Sequence, residues 1–161
     1  MSKQLIFALP ELDRDKTRDA VEAALEKYRI LLLSIPVEKI PKITANYTFD
    51  VPPSFTNEFH SPTEDAAIDK VDLEKEREKY INWVRKAINR LNFKEREMII
   101  KRYLSDEEMF DYELYNEMGM SERKFYRFKA RAFYKLAFAL KIEVYSTFDD
   151  EFNKWTVRVG P

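Results

Sequence analysis

The side chains able to do chemistry in this chain are unevenly spread, and the most concentrated of them are cationic. From Ser121 to Lys141 seven basic residues, Arg123, Lys124, Arg127, Lys129, Arg131, Lys135 and Lys141, stand against the single acid Glu122, a local charge of +6 in a chain whose net charge is −1. The preceding stretch, Ser105 to Met118, reverses the sign with Asp106, Glu107, Glu108, Asp111, Glu113, Glu117 and no base. Arginine offers fixed pairs of N–H donors that match phosphate oxygens or the edge of a guanine, so arginines repeated on one helical face are suited to recognising nucleic acid. A merely solvated face is the ordinary reading of an isolated charge run. What separates the two readings is whether the surrounding residues build a scaffold that presents those cations.

Other chemistries have little to work with. The chain has no cysteine, which removes disulfides, thiolate metal sites and thiol nucleophiles, and it fits a reducing cytosol. The single histidine, His60, has no cysteine or second histidine to complete a common zinc site, so it reads as a surface residue. Carboxylates are plentiful but interleaved with bases, as in Glu74 to Lys79, the pattern of a solvated helix. Two glycines in 161 residues cannot make a glycine-rich phosphate loop. No catalytic residue, metal site or cofactor is expected, and the chain reads as a binding protein and not an enzyme. The apolar patch Leu5 to Leu9 is too short for a signal-peptide core, and no apolar run approaches a membrane span, so a cytoplasmic location without membrane contact is expected.

With 35% charged residues, 45% hydrophobic residues and so little glycine, the chain predicts an all-α fold. An N-terminal unit, 1–34, carries a helix from Asp13 to Ser34 in which Val21, Leu25, Tyr28, Leu32 and Ile35 recur at helical spacing. Its turn Ile30 to Leu33 is apolar all round and must pack within the fold or against a second copy of the chain. The stretch 35–61 holds Pro36, Pro41, Pro52 and Pro53 without a period, and reads as a linker or surface loop between two helical parts. A helical domain over 62–146 opens on a capping box, Ser61, Pro62 and Glu64, and continues through Tyr80, Ile81, Val84, Ala87, Ile88 and Leu91, with Asp72 able to cap a restart. Phe93 to Leu104 is a short helix with Met98, Ile99 and Leu104 inward, and 147–161 is a tail.

Within that domain DYELYNEMGMSERKFYRFKARAFYKLAFAL, residues 111–140, reads as helix, tight turn, helix. Gly119, the only glycine before the tail, supplies the positive φ such a turn needs, and Ser121 caps the second helix. Leu114, Met118, Met120, Phe125 and Phe128 fall where the two helices must touch. Tyr115 departs from the small residue usual four places before the glycine. A wheel of the second helix groups Phe125, Phe128, Ala132, Leu136 and Ala139 on one face and Arg123, Arg127, Ala130, Arg131 and Tyr134 on the other, with Lys124 at the edge. Lys129 lies nearer the core and snorkels. Only the first turns of a helix about 30 Å long can enter a groove about 12 Å wide. Base contacts therefore fall to Arg123, Lys124 and Arg127 and a phosphate contact to Arg131, with Ser121, Glu122 and Tyr126 completing the interface. Tyr134 and Phe138 make the far half apolar on nearly all sides and call for a cover, which the N-terminal helix could provide.

At these residues KEREMIIKRYL (Lys94–Leu104), GMS and RAFYKL are similar to the promoter-recognising region 4 of bacterial sigma factors. More closely, the chain from about Leu5 to Tyr145 resembles the ArpU family of phage and prophage transcriptional regulators. LEKYR at Leu25–Arg29, NEFHSPTEDAAI at Asn57–Ile68 and NEMGMSERKFYR at Asn116–Arg127 carry that match. The resemblance implies a duplex-DNA-binding regulator of late, packaging or lysis genes of a phage, or of a host autolysin gene. RNA polymerase is a further partner it suggests, and the apolar Ile30 to Leu33 run with Phe138 suggests a second copy of the chain. Two other readings use the same sequence: a small DNA-recognition subunit of a packaging motor, and an adaptor whose acidic run docks on polymerase.

Overall fold

The computed structural model describes residues 11–40, 42–50, 65–107 and 109–146. Among these residues five α-helices follow one another: α1 (Arg14–Leu32), α2 (Asp65–Asn89), α3 (Phe93–Ile99), α4 (Asp111–Glu117) and α5 (Glu122–Leu140). A single 3-10 turn, Val37–Lys39, follows α1, and a π-helical turn, Ile100–Leu104, extends α3. The fold is all-α. The Ser61, Pro62, Glu64 capping box, His60, Leu5 to Leu9 and the 147–161 tail lie outside the described residues.

α1 starts where Asp13 turns its carboxylate onto the Lys16 amide at 3.1 Å, satisfying one of the free N–H groups of the first turn. Val21, Ala24, Leu25 and Tyr28 then bury one stripe against α2 and α5. The N-terminal helix is thus built into the same core as the rest of the described chain. Its apolar last turn is divided, with Leu31 and Leu32 half-buried while Ile30 and Leu33 stay 59% and 88% exposed.

α2 runs without a break through Asp72, which is exposed and caps nothing, so the restart expected there does not occur. Its second half buries Ile81, Val84, Ala87 and Ile88. α3 opens on a reciprocal capping box: Asn92 Oδ1 accepts from the Glu95 amide, and Glu95 Oε2 accepts from the Asn92 amide.

The proline-containing stretch does more than run over the surface. Thr44 and Thr48 close a turn that brings Ile43 and Phe49 into an antiparallel bridge, and the Phe49 side chain is buried. Asn89 takes the place of a missing strand, accepting from the Phe49 amide and donating to its carbonyl, both at 2.8 Å. Arg96 donates to the carbonyls of Asn46 and Tyr47. Beneath them the buried Arg85 donates to the Tyr28 hydroxyl at 2.9 Å and lies over the Tyr28 and Phe49 rings, joining α1, this turn and α2.

α5 is the hub of the core, packed by α1, α2, α3 and α4. Its buried stripe is Phe125, Ala132, Phe133, Leu136, Ala137 and Leu140, with Phe128 and Ala139 only half-buried. The stripe is wider than the one-sided wheel predicts because neighbours meet α5 from more than one side. Past its end the chain doubles back on the start of α1. The Asp13 amide donates to the Val144 carbonyl at 2.8 Å, Thr17 Oγ1 both accepts from and donates to Val144, and the Ser146 amide reaches the Glu11 carbonyl.

Candidate nucleic-acid interface

Between α4 and α5 the backbone makes a tight, fully bonded turn. Gly119 adopts φ +64°, its amide donates to the Asn116 carbonyl, and the Met120 amide donates to the Tyr115 carbonyl at 2.9 Å. These two bonds close the last turn of α4 around a left-handed residue, which glycine tolerates without strain. Ser121 Oγ then accepts from the Lys124 amide at 3.3 Å and starts α5. Leu114 and Phe125 are fully buried at the contact, and Met118, Met120 and Phe128 pack at its edge. Tyr115 is accommodated by laying its ring beside that of Phe125, with centroids 5.8 Å apart.

The cations of this region divide into two groups. Lys101 bonds both Glu97 and Glu117, Arg102 Nε reaches Asp111 at 2.8 Å, Lys129 Nζ reaches the other oxygen of Asp111 at 3.0 Å, and Lys135 reaches the buried Glu95 at 2.6 Å. Lys101 and Arg102, adjacent on the π-helical turn, therefore hold opposite ends of the seven-residue α4, while Lys129 ties α5 to the same carboxylate. Burial alone would raise the Asp111 pKa, but the hydrogen bonds and charges of Lys129 and Arg102 outweigh it and hold the carboxyl below the usual range. Lys129 loses solvation as well, yet bonds and charge from Tyr103 and Asp111 raise its pKa above the ordinary lysine value. Its ammonium lies 5.4 and 5.7 Å from the centroids of the Tyr103 and Phe133 rings and ends on Asp111 with the side chain 14% exposed, so the head is held within the fold and does not snorkel out to water as its place on the wheel suggests.

The second group is Arg123, Lys124, Arg127 and Arg131. All four side chains are exposed on α5, and among the described residues none of them has an ion pair or a side-chain hydrogen bond. Ser121, Glu122 and Tyr126 are exposed beside them, and Glu122, Arg123, Tyr126, Arg127 and Ala130 line one shallow depression. All seven residues singled out from the sequence are thus exposed, six of them at the start of α5 and Arg131 at its middle. The alanine leaves room for close approach of a flat or convex partner. Such a surface can donate paired N–H groups to phosphates or base edges without first breaking an internal ion pair.

Two further features of the site differ from the sequence reading. The far half of α5 is covered on one side only: Phe133, Leu136, Ala137 and Leu140 are buried and α1 packs against α5, but Tyr134 and Phe138 stay 48% and 40% exposed with their rings 4.9 Å apart. Half of the acidic run is engaged internally, since Asp111 and Glu117 bond Arg102, Lys129 and Lys101, and Glu113 accepts from the Phe110 amide that starts α4. Among the described residues no cluster of three or more histidine, aspartate or glutamate side chains could hold a metal ion, and no helix is long and apolar enough to cross a membrane.

The chain is 37% identical over 139 residues to the uncharacterized phage-related protein Lin1259/Lin1739 of Listeria innocua, an alignment covering 86% of this chain and 96% of that protein. It is 30% identical over 142 residues to protein Gp66 of Listeria phage A118, with the same coverage of the two chains. No family model matches the chain, and no solved structure matches it.

Proposed function

The chain belongs to the family of phage-related proteins that these two Listeria relatives represent, and on that premise we propose that it is a sequence-specific DNA-binding transcriptional regulator. In this reading α4, the glycine turn and α5 form a helix-turn-helix of the sigma region 4 kind, and α5 enters the major groove from Ser121 onward. In this reading its targets are late, packaging or lysis genes of a phage or a host autolysin gene, as the ArpU resemblance implies. It acts by binding and has no catalytic step or cofactor.

The observation that carries the reading is the division of cations on one scaffold. Lys101, Arg102, Lys129 and Lys135 are tied to carboxylates that hold the helices in place, whereas Arg123, Lys124, Arg127 and Arg131 remain exposed and unpaired among the described residues. Here the acids are used behind the turn and the arginines project in front of it.

The test is footprinting on duplexes selected by the wild-type protein. Arg123→Ala and Arg127→Ala are each expected to weaken specific binding by about 1–3 kcal/mol and to relax preference at one or two base positions. Wild-type footprints from both variants would rule out α5 as the reading helix. The packaging alternative predicts binding at a packaging site with transcript levels unaltered, and the polymerase adaptor predicts polymerase binding that survives Arg127→Ala.

A further inference from the structure

Behind the depression that holds Arg123 and Arg127, a larger cleft of about 770 Å³ opens between the first half of α1 and the middle of α5. Arg14, Asp15, Arg18 and Glu22 line its α1 wall, and Tyr126, Ala130, Arg131 and Tyr134 are among the residues of the α5 wall. Tyr126 and Ala130 also line the depression in front, so the two are parts of one continuous surface.

Resting on the DNA-binding reading above, we propose that this cleft seats one sugar-phosphate strand of the duplex, with Arg14 and Arg18 of α1 as phosphate contacts opposite Arg131. Helix geometry locates the strand. From Arg123 to Arg131 the axis rises about 12 Å, the width of the major groove, so Arg131 stands where the groove ends and the backbone begins. The cleft lies at that point along α5. Arg14 and Arg18 have exposed side chains, and the ion pairs of Arg18, to Asp15 at 3.8 Å and Asp19 at 3.3 Å, lie on the surface where such pairs are weak and readily exchanged for a phosphate. Asp15 and Glu22 on the same wall oppose the strand and limit its affinity. Ala130 leaves the floor of the cleft low, and the Tyr126 and Tyr134 rings, half exposed, offer edges and hydroxyls suited to sugar and phosphate. α1 thereby becomes part of the DNA-binding surface and not only a packing helix.

A phosphate contact acts on every sequence equally, so the probe is a fluorescent duplex of about 30 base pairs with no selected site, titrated by anisotropy from about 50 to 200 mM salt. For the double variant Arg14→Ala/Arg18→Ala, the slope of log affinity against log salt should fall by nearly two. The loss of affinity across that salt range should shrink by about twelvefold relative to wild type. Glu22→Gln, which removes a carboxylate from the same wall, should instead tighten binding. All three substituted positions are exposed on α1. An unchanged slope and affinity in the double variant, while Arg123→Ala/Arg127→Ala still weakens binding, overturns the cleft and leaves the reading helix standing. Failure of the wild type to bind any duplex removes both.

Discussion

Replacing Asp111 by asparagine should loosen α4 and its turn from α5. Asp111 accepts from Arg102 at 2.8 Å and from Lys129 at 3.0 Å, and the three side chains keep only 19%, 25% and 14% of their surface in water. An exposed ion pair contributes about 0.2–1 kcal/mol, whereas removing one member of a buried pair costs about 3–5 kcal/mol. At these exposures the loss lies between the two limits, about 2–3 kcal/mol, because Lys129 is left largely out of water without its carboxylate. The asparagine keeps the shape and one acceptor oxygen, so packing contributes little to the change. The pH dependence has a definite sign. The carboxyl is held below its ordinary pKa near 3.9 in the folded state, so its contribution is complete above the unfolded pKa and fades as pH falls through the lowered folded value. Urea unfolding of wild type and variant at neutral and acid pH should therefore show a wide gap at pH 7 that closes below about pH 4. A gap under about 0.5 kcal/mol at pH 7 would refute the structural role. So would a gap that persists unchanged in acid, because it would have another origin.

Three further outcomes follow from the backbone and the docked turn. Gly119→Ala meets no atom within 4 Å of the added methyl, so its cost is conformational, about 1 kcal/mol or somewhat more from φ +64°, and should appear as a lower urea midpoint with an unchanged slope. Lys141 ends α5 in the left-handed conformation, at φ 57° and ψ 42°, and Lys141→Gly should raise stability by up to about 1 kcal/mol in the same assay. Asn89→Ala strips both hydrogen bonds from Phe49, should cost about 2–3 kcal/mol, and should speed amide exchange at Phe49 before it affects α5.

The parts of the molecule legible from the residues alone are those governed by local rules. The 3.6-residue period placed α1, the second half of α2 and the outward face of α5, and one glycine followed by Met120 and Ser121 located the turn. The exposed position of Arg123, Arg127 and Arg131 follows from that period, since the wheel that buries Phe125 turns those positions away from the core. What depended on distant partners was not legible. Lys129 and Lys135 have the same composition as Lys124, and only the fold brings Asp111 and Glu95, 18 and 40 residues away, to their ammonium groups. The docking of Phe49 leaves no periodic signal, because a side-chain amide of Asn89 satisfies its backbone. Nor does the π-helical turn have one, although it sets Lys101 and Arg102 against the two ends of α4. The capping box at Asn92 and Glu95 was available in the residue types and needed only the spacing of three.

A dimer belongs to the same account as a proposal, since Ile30, Leu33 and Val37 are exposed at the end of α1 and beyond it. Light scattering at working concentration that returns the monomer mass would remove it. The acidic segment has only Asp106 and Glu107 exposed and without a hydrogen bond among its described carboxylates, which leaves a polymerase adaptor a small charged surface.

The most direct measurement is chromatin mapping of this protein in cells carrying the phage genome, wild type beside the Arg123→Ala/Arg127→Ala variant, with transcripts counted in the same cultures. The account predicts discrete wild-type occupancy upstream of phage or autolysin genes, changed transcription of those genes, and loss of both in the variant while the protein remains folded. Occupancy that is absent, or identical in the two strains, would contradict it.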